Sequence, residues 1–312
     1  MAKVLRFEHV VKQFAETTAV KDLNLEIGEG ELFVLVGASG SGKTTTLKMI
    51  NRLIEPTDGN IYFNGKRLID TDLRDLRWHI GYVLQQIALF PNMTVAQNIA
   101  LIPQMKHWEK GKICQAVDEM LTAVDLPPAQ YRDRMPAELS GGEQQRVGIC
   151  RALASRPPMV LMDEPFSALD PISRTSLQDM VLRLHRKMKL TIVFVTHDMN
   201  EAMKLGDRIA VMRRGELQQV ATPEEIAANP ASDFVSDFFA SAAPVLLDTL
   251  LLELRRFGSP SVNEPVDAQE EATLRTVLRP LGEGKSVTVA CHEGNFKLDA
   301  RQVLAFLASA AN

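Results

Sequence analysis

The chain has 312 residues, 46% of them hydrophobic and 24% charged, with a formal net charge of −4 and a pI near 5.9. That composition can bury a core in about two domains, and its mild acidity gives no electrostatic argument for a nucleic-acid partner. Cys114, Cys150 and Cys291 stand far apart without a C-x-x-C pair, which argues against a disulfide framework or a zinc site and fits a reducing cytosol.

Residues 1–8 place charges among apolar side chains and read as a strand rather than a signal-peptide core. Short β-branched and apolar runs separated by polar turns continue to about residue 35 and predict an antiparallel β layer. The apolar run Leu32 to Val36 then meets Gly37-Ala38-Ser39-Gly40-Ser41-Gly42-Lys43-Thr44, and residues 45–54 have apolar positions at helical spacing. Strand, G-x-x-x-x-G-K-T and helix together make a phosphate-binding loop. The glycines let backbone N–H groups turn inward around an anion, the helix start adds its positive dipole end, and Lys43 reaches the outer phosphates. Thr44 is left to hold Mg²⁺ with its hydroxyl, and the nucleotide-binding set runs from Gly37 through Thr45.

Pro56-Thr57-Asp58-Gly59 is a turn, followed by a short hairpin around Ile61 to Phe63. From about 94 to 156 the pattern is mainly helical, with caps and breaks expected at Thr94, Pro103, Pro127-Pro128 and Pro136. Continuous apolar runs at 159–162, 191–195 and 208–212, separated by helices, mark buried parallel strands. The stretch 238–254 is interrupted by Asp248 and Glu253 and falls short of the about 20 apolar residues of a membrane span. Gly, Ser, Pro and acidic residues over 255–272 read as a linker. Beyond it, 273–279 is helix-like, Val287 to Ala290 strand-like, and 300–308 again helix-like.

Two further segments carry chemistry. Val160-Leu161-Met162-Asp163-Glu164 is an apolar strand ending in adjacent carboxylates, which lets Asp163 reach a Mg²⁺ ion and Glu164 face a water attacking a γ-phosphate. Between loop and carboxylates lies Leu139-Ser140-Gly141-Gly142-Glu143, where Ser140 can cap a helix and two glycines let backbone N–H groups approach a phosphate.

With this L-S-G-G-E segment the chain resembles the ATP-binding cassette (ABC) ATPases, from Lys3 to about Ala240. The resemblance implies a P-loop α/β ABC fold with an antiparallel β layer, a helical subdomain at about 94–156 and a small C-terminal α/β appendage. It divides the chain into a nucleotide-binding domain at 1–240 and a linker with an accessory or regulatory region at 241–312. Gln85 is similar to the loop glutamine that touches Mg²⁺ and the attacking water and senses the membrane partner. His197, in Val195-Thr196-His197-Asp198, is similar to the switch histidine on the γ-phosphate, and Ser167-Ala168-Leu169-Asp170 resembles the D-loop. Phe14 is the candidate for stacking on adenine.

In this family the signature of one chain closes on ATP held by the phosphate loop of another, so Ser140, Gly141, Gly142 and Glu143 are expected to serve a second copy's site. Glu164, His197 and Gln85 form the implied catalytic group; Thr44, Gln85 and Asp163 form the implied Mg²⁺ set. Residues 51–59, 83–91 and 205–212 resemble importers of glycine betaine, choline, carnitine or proline, although Ser167 stands where many such relatives carry Gly. Their tandem sensor modules do not fit in the residues after the cassette. The implied role is the ATPase of such an importer, peripheral on the cytoplasmic face of the plasma membrane. Its partners would be a second copy, a transmembrane permease and, indirectly, an extracytoplasmic solute-binding protein, and no nucleic acid. The alternatives are an importer of another small solute, such as an amino acid or polyamine, and a non-transport ABC ATPase.

Overall fold

The computed structural model describes residues 3–242, 259–260, 266–269, 281, 285–290, 295–299 and 302–303. The chain divides into two compact units, Met1–Ser236 and Asp237–Asn312. The first unit opens with β1 (Lys3–Phe14) and β2 (Thr17–Gly28), an antiparallel hairpin. Next come β3 (Leu32–Val36) and α1 (Lys43–Ile50), then β4 (Asp58–Phe63) and β5 (Lys66–Arg67), which complete a four-stranded sheet in the order β2-β1-β4-β5. After α2 (Leu73–Trp78) and β6 (Ile80–Val83) the chain enters a helical layer: α3 (Val95–Met105), α4 (Lys110–Ala123), the short α5 (Pro128–Tyr131) and α6 (Gly141–Leu153).

Strands and helices then alternate as β7 (Met159–Asp163), α7 (Pro171–Met188), β8 (Thr191–Thr196), α8 (Met199–Leu205) and β9 (Arg208–Arg213). The unit closes with β10 (Glu216–Ala221), α9 (Pro223–Ala228) and the start of α10 (Asp233–Ala242). The main sheet has the order β10-β9-β3-β8-β7-β6. Its strands are parallel except β10, which returns antiparallel on β9. In the second unit Ser259–Pro260 (β11), Ala268–Gln269 (β12), Val287–Ala290 (β13) and Phe296–Leu298 (β14) form a sheet ordered β11-β14-β13-β12.

Burial explains why β3, β7 and β8 read as unbroken apolar runs, since every residue in them is buried. A strand covered on both faces has no polar side to alternate with. One core joins Leu5, Phe7, Leu25 and Ile27 of the antiparallel layer to Leu47, Met49 and Ile50 of α1 and to Phe33 and Leu35 of β3. The helix that follows the phosphate loop is thus held between two sheets. Among the described residues, no helix is long and apolar enough to cross a membrane.

Several elements depart from the sequence expectations. Helix α1 stops at Ile50 rather than 54 because Arg52 turns left-handed (φ 49°) and the Leu53 and Ile54 amides donate back to the Lys48 carbonyl. Pro103 does not break α3 but lies buried inside it, two residues before its end, at the cost of the one bond its missing N–H would have made to the Ile99 carbonyl. Within the stretch read as a linker, 259–260 and 268–269 pair as strands with β14 and β13. Two-residue strands leave no periodic pattern to read. Of the last expected elements, Val287 to Ala290 is a strand, whereas 273–279 lies outside the described residues, as does 300–308 apart from 302–303.

One buried amide ties the helical layer to the loop after β6. Asn98 accepts from the Phe90 N–H (2.8 Å) and donates to the carbonyls of Phe90, Met93 and Thr94 at 3.2, 3.0 and 3.0 Å. Asn98→Ala leaves these groups without their partner and is expected to cost about 2–3 kcal/mol in urea unfolding. A change below about 0.5 kcal/mol would show that the segment keeps its shape without the amide.

Candidate functional site

The strand register lines up the chemistry. Val36 pairs with Thr196, Asp163 with Val195, and Val83 with Met162, so β3, β6, β7 and β8 end along one edge of the sheet. The loops leaving that edge carry Gly37 to Thr44, Gln85, Glu164 and His197. The carboxyl edge of a parallel sheet is where α/β proteins bind ligands, because loops from several strands converge there.

The phosphate loop is built for an anion. Gly42 is the N-cap of α1 in the left-handed region (φ 103°), and a Cβ there would lie 2.5 Å from the Ala19 carbonyl oxygen. A Cβ on Gly37 would lie 2.2 Å from the Met212 carbonyl oxygen. Gly42→Ala is therefore expected to abolish nucleotide binding, measured by titration with a fluorescent ATP analogue. Affinity within about threefold of the parent would show that the loop tolerates the shift. Ala38, Ser39 and Gly40 are exposed at the tip, and Thr45 lies half-buried in the first turn of α1.

Lys43 is buried, and its Nζ donates to the carbonyls of Gly37 (2.7 Å) and Ala38 (3.0 Å). Burial lowers its pKa, while the nearby charges of Glu164 and Asp163 pull the other way. The Thr44 hydroxyl donates to Asp163 Oδ1 at 3.0 Å, and the Tyr82 hydroxyl reaches Asp163 Oδ2 at 3.5 Å. Burial holds the Asp163 carboxyl above the usual carboxylate range, against the lowering pull of the Thr44 hydrogen bond. Buried oxygen donors of this kind fit a hard cation such as Mg²⁺. The Ser41 hydroxyl adds a buried oxygen with no partner among the described residues, inside the same loop.

Glu164 follows at the strand end with a left-handed backbone (φ 44°), an uncommon conformation for a residue with a Cβ. Its N–H donates to the Val195 carbonyl at 2.9 Å, and its carbonyl accepts from the Ser167 hydroxyl at 3.1 Å. Ser167 thus helps hold the turn. Glu164 Oε2 pairs with His197 Nδ1 at 2.9 Å.

The remaining candidates stand apart from this group. Ser140 caps α6, accepting from the Glu143 N–H (3.3 Å), while Glu143 Oε2 accepts from the Ser140 N–H and hydroxyl, both at 2.8 Å. Tyr131 donates to the other Glu143 oxygen at 2.6 Å and, as the largest influence, keeps that carboxyl below its ordinary pKa. Glu143 therefore shapes the cap, and the exposed groups are those of Ser140 and Gly141. Gly142 faces Ser173 in the first turn of α7, whose N-cap is Asp170. Signature and D-loop are neighbours; the D-loop reaches Glu164 through Ser167, whereas among the described residues the signature shares no hydrogen bond with Lys43, Asp163, Glu164 or His197. Gln85 and Gln86 are both exposed in the loop after β6. Phe14 is 45% exposed at the tip of the β1–β2 hairpin, with Lys12 Nζ 4.9 Å from its ring centre, so it is not a core residue.

Sequence reasoning missed the supports. Arg151 of α6 donates to the Ala88 carbonyl at 2.6 Å and, with Asn98, fixes the chain beyond Gln85. Tyr82 stands three residues before Gln85, and only its position on β6 beside β7 reveals its contact with Asp163.

Comparison with known proteins gives the family. The family model described as ABC transporter matches residues 20–167. The glycine betaine/carnitine/choline transport ATP-binding protein OpuCA of Bacillus subtilis is 52% identical over 236 residues, covering 75% of this chain and 62% of that one. The chain thus spans less than two thirds of OpuCA. The choline transport ATP-binding protein OpuBA of the same organism is 46% identical, covering 88% of this chain and 72% of that one. The glycine betaine uptake system ATP-binding protein YehX of Escherichia coli is 45% identical over 279 residues, 88% of this chain and 89% of its own length. Among solved structures, the dimeric ATP-binding cassette MJ0796 bound to ADP and Pi is 34% identical with a TM-score of 0.63, over 70% of this chain and 98% of that one. Its fold, its motifs and its likeness to YehX over nearly the whole of that protein place the chain in the ABC transporter ATP-binding family.

Proposed function

We propose that the chain is the ATP-hydrolysing subunit of an ABC importer for quaternary-amine compatible solutes of the glycine betaine, choline, carnitine or proline type. The carrying observation is the convergence of Lys43, Thr44, Asp163, Glu164 and His197 on one sheet edge, in a chain 45–52% identical to proteins named for such transport.

Residues Gly37 to Thr45 cradle the phosphates, and Phe14 offers an exposed ring to adenine. Thr44, Asp163 and Gln85 hold Mg²⁺, which when bound neutralises phosphate charge. Lys43 leaves the Gly37 and Ala38 carbonyls and turns its ammonium to the outer phosphates. Glu164 accepts the proton of the attacking water, and His197, already paired with that carboxylate, steadies it and faces the γ-phosphate. Ser140 and Gly141, at the N-terminus of α6, complete the site of a second copy, with Asp170 beside them at the seam. A signature that shares no hydrogen bond with the phosphate loop or carboxylates of its own chain, among the described residues, is free to serve another's site, which supports a head-to-tail dimer.

The first 240 residues serve as the nucleotide-binding domain, and 241–312 as an accessory region. A permease engages the exposed loop around Gln85, and a solute-binding protein acts through that permease. The chain then works at the cytoplasmic face of the plasma membrane.

The test is reconstitution with a candidate quaternary-amine permease, in liposomes loaded with Mg²⁺ and ATP. Uptake of radiolabelled glycine betaine, choline, carnitine and proline is compared with that of a polyamine and an amino acid. ATP-dependent uptake of a quaternary amine is expected. Uptake confined to the polyamine or the amino acid would replace the substrate assignment, and hydrolysis without uptake of any solute would remove the transport role.

A further inference from the structure

The turn that carries His197 is braced from beneath by a buried carboxyl that the chemistry above does not use. Strand β8 ends at Thr196 and α8 begins at Met199, so only His197 and Asp198 join them. The Thr196 hydroxyl donates to Glu201 Oε2 at 2.6 Å and accepts from the Asp198 N–H at 3.0 Å. One hydroxyl therefore ties the residues on either side of His197 to each other and to α8. The other carboxyl oxygen of Glu201 accepts from Gln178 Nε2 of α7 at 3.5 Å. Thr196, Gln178 and Glu201 are all buried, at 2, 6 and 6% exposure.

A second tie runs parallel to the first. The Asp198 carboxylate caps α8 through the Asn200 N–H (2.8 Å) and lies 3.9 Å from Arg174 Nη1. Arg174 Nη2 donates to the Leu169 carbonyl in the D-loop at 3.2 Å.

We propose that Glu201 is a positioning residue for His197, acting through the Thr196 hydroxyl to fix the turn on which the imidazole stands. The inference rests on the reading of His197 as part of the hydrolytic site. Burying a carboxyl is costly unless its oxygens are satisfied, and a leucine would fill such a position without that cost. What the carboxyl adds is two acceptors, meeting a hydroxyl from the switch turn and an amide from α7 at once. A displacement of about 1 Å in a positioned group can lower a rate about a hundredfold, so a brace of this kind has kinetic weight.

The experiment uses the full chain and its hydrolysis of Mg²⁺-ATP. Thr196→Val removes the hydroxyl at nearly constant volume, and Glu201→Ala removes the acceptor. Each is expected to lower kcat about tenfold or more with KM unchanged within about twofold. Thr196→Ser, which keeps the hydroxyl, is expected to restore kcat. In a His197→Ala background the two losses should vanish, since a group acting through His197 has nothing left to position. A loss of equal size in that background would overturn the proposal. The ring signal of His197, assigned by its disappearance in His197→Ala, should shift in Thr196→Val; an unmoved signal would overturn it as well. Full activity of His197→Ala itself would instead remove the hydrolytic reading of His197, and the ring signal would then decide on the brace alone.

Discussion

Glu164→Gln is expected to lower ATP turnover by at least about a hundredfold while ATP binding persists and a closed dimer accumulates. The carboxylate stands at the end of β7, directly after Asp163, and its partner is His197 at 2.9 Å rather than a structural cation. A glutamine keeps the volume and can still bond to the imidazole, but its amide cannot take a proton from water. The phosphate loop, Thr44 and Asp163 are untouched by the change, so affinity should hold. Steady-state phosphate release and the mass of the ATP-bound species by size-exclusion light scattering check the two halves. Turnover near that of the parent would exclude Glu164 as the essential base.

The second large effect concerns the sharing of one site between two chains. Lys43→Ala removes the ammonium from the loop, and Ser140→Arg places a bulky cation at the cap of α6. Each variant alone should be inactive. Mixed in equal amounts, half of the dimers are heterodimers with one intact site of two, so recovery of up to about a quarter of parental activity is expected if the sites turn over independently. Parental activity in a preparation shown to be monomeric would refute a composite site.

Much of this arrangement is legible in the residues because the signals are local. The run Leu32 to Val36 and the glycines after it specify a buried strand and an anion-binding turn without reference to the rest of the chain. Ser140 and Glu143 are three residues apart and form the capping box that their types allow. Other elements depend on pairing at a distance. Strand β10, with Gln218 and Gln219 at its centre, forms because β9 lies beside it, and α2 is only a turn and a half, stabilised by Asp72 at its N-cap and by the buried Leu76. The early end of α1 is set by the left-handed Arg52, whose guanidinium bonds to the Leu68 and Thr71 carbonyls.

The site divides in the same way. Motifs identify Lys43, Asp163 and Glu164, but the bond between Thr44 and Asp163 spans 119 residues and that between His197 and Glu164 spans 33. The supporting residues Tyr82, Asn98, Arg151 and Glu201 belong to no motif used to find the site. An asparagine or glutamate in a buried helical face is the one trace they leave in the sequence, and it does not name the group it will hold.

The left-handed backbone at Glu164 separates two substitutions that are often treated as interchangeable ways to silence such an enzyme. Glycine adopts that conformation freely, so Glu164→Gly relieves conformational tension that Glu164→Gln retains. An inactive glycine variant would then owe part of its behaviour to a relaxed main chain, whereas the glutamine variant isolates the proton. On the proposed role of Glu164, the turn trades main-chain ease for the placement of its carboxylate.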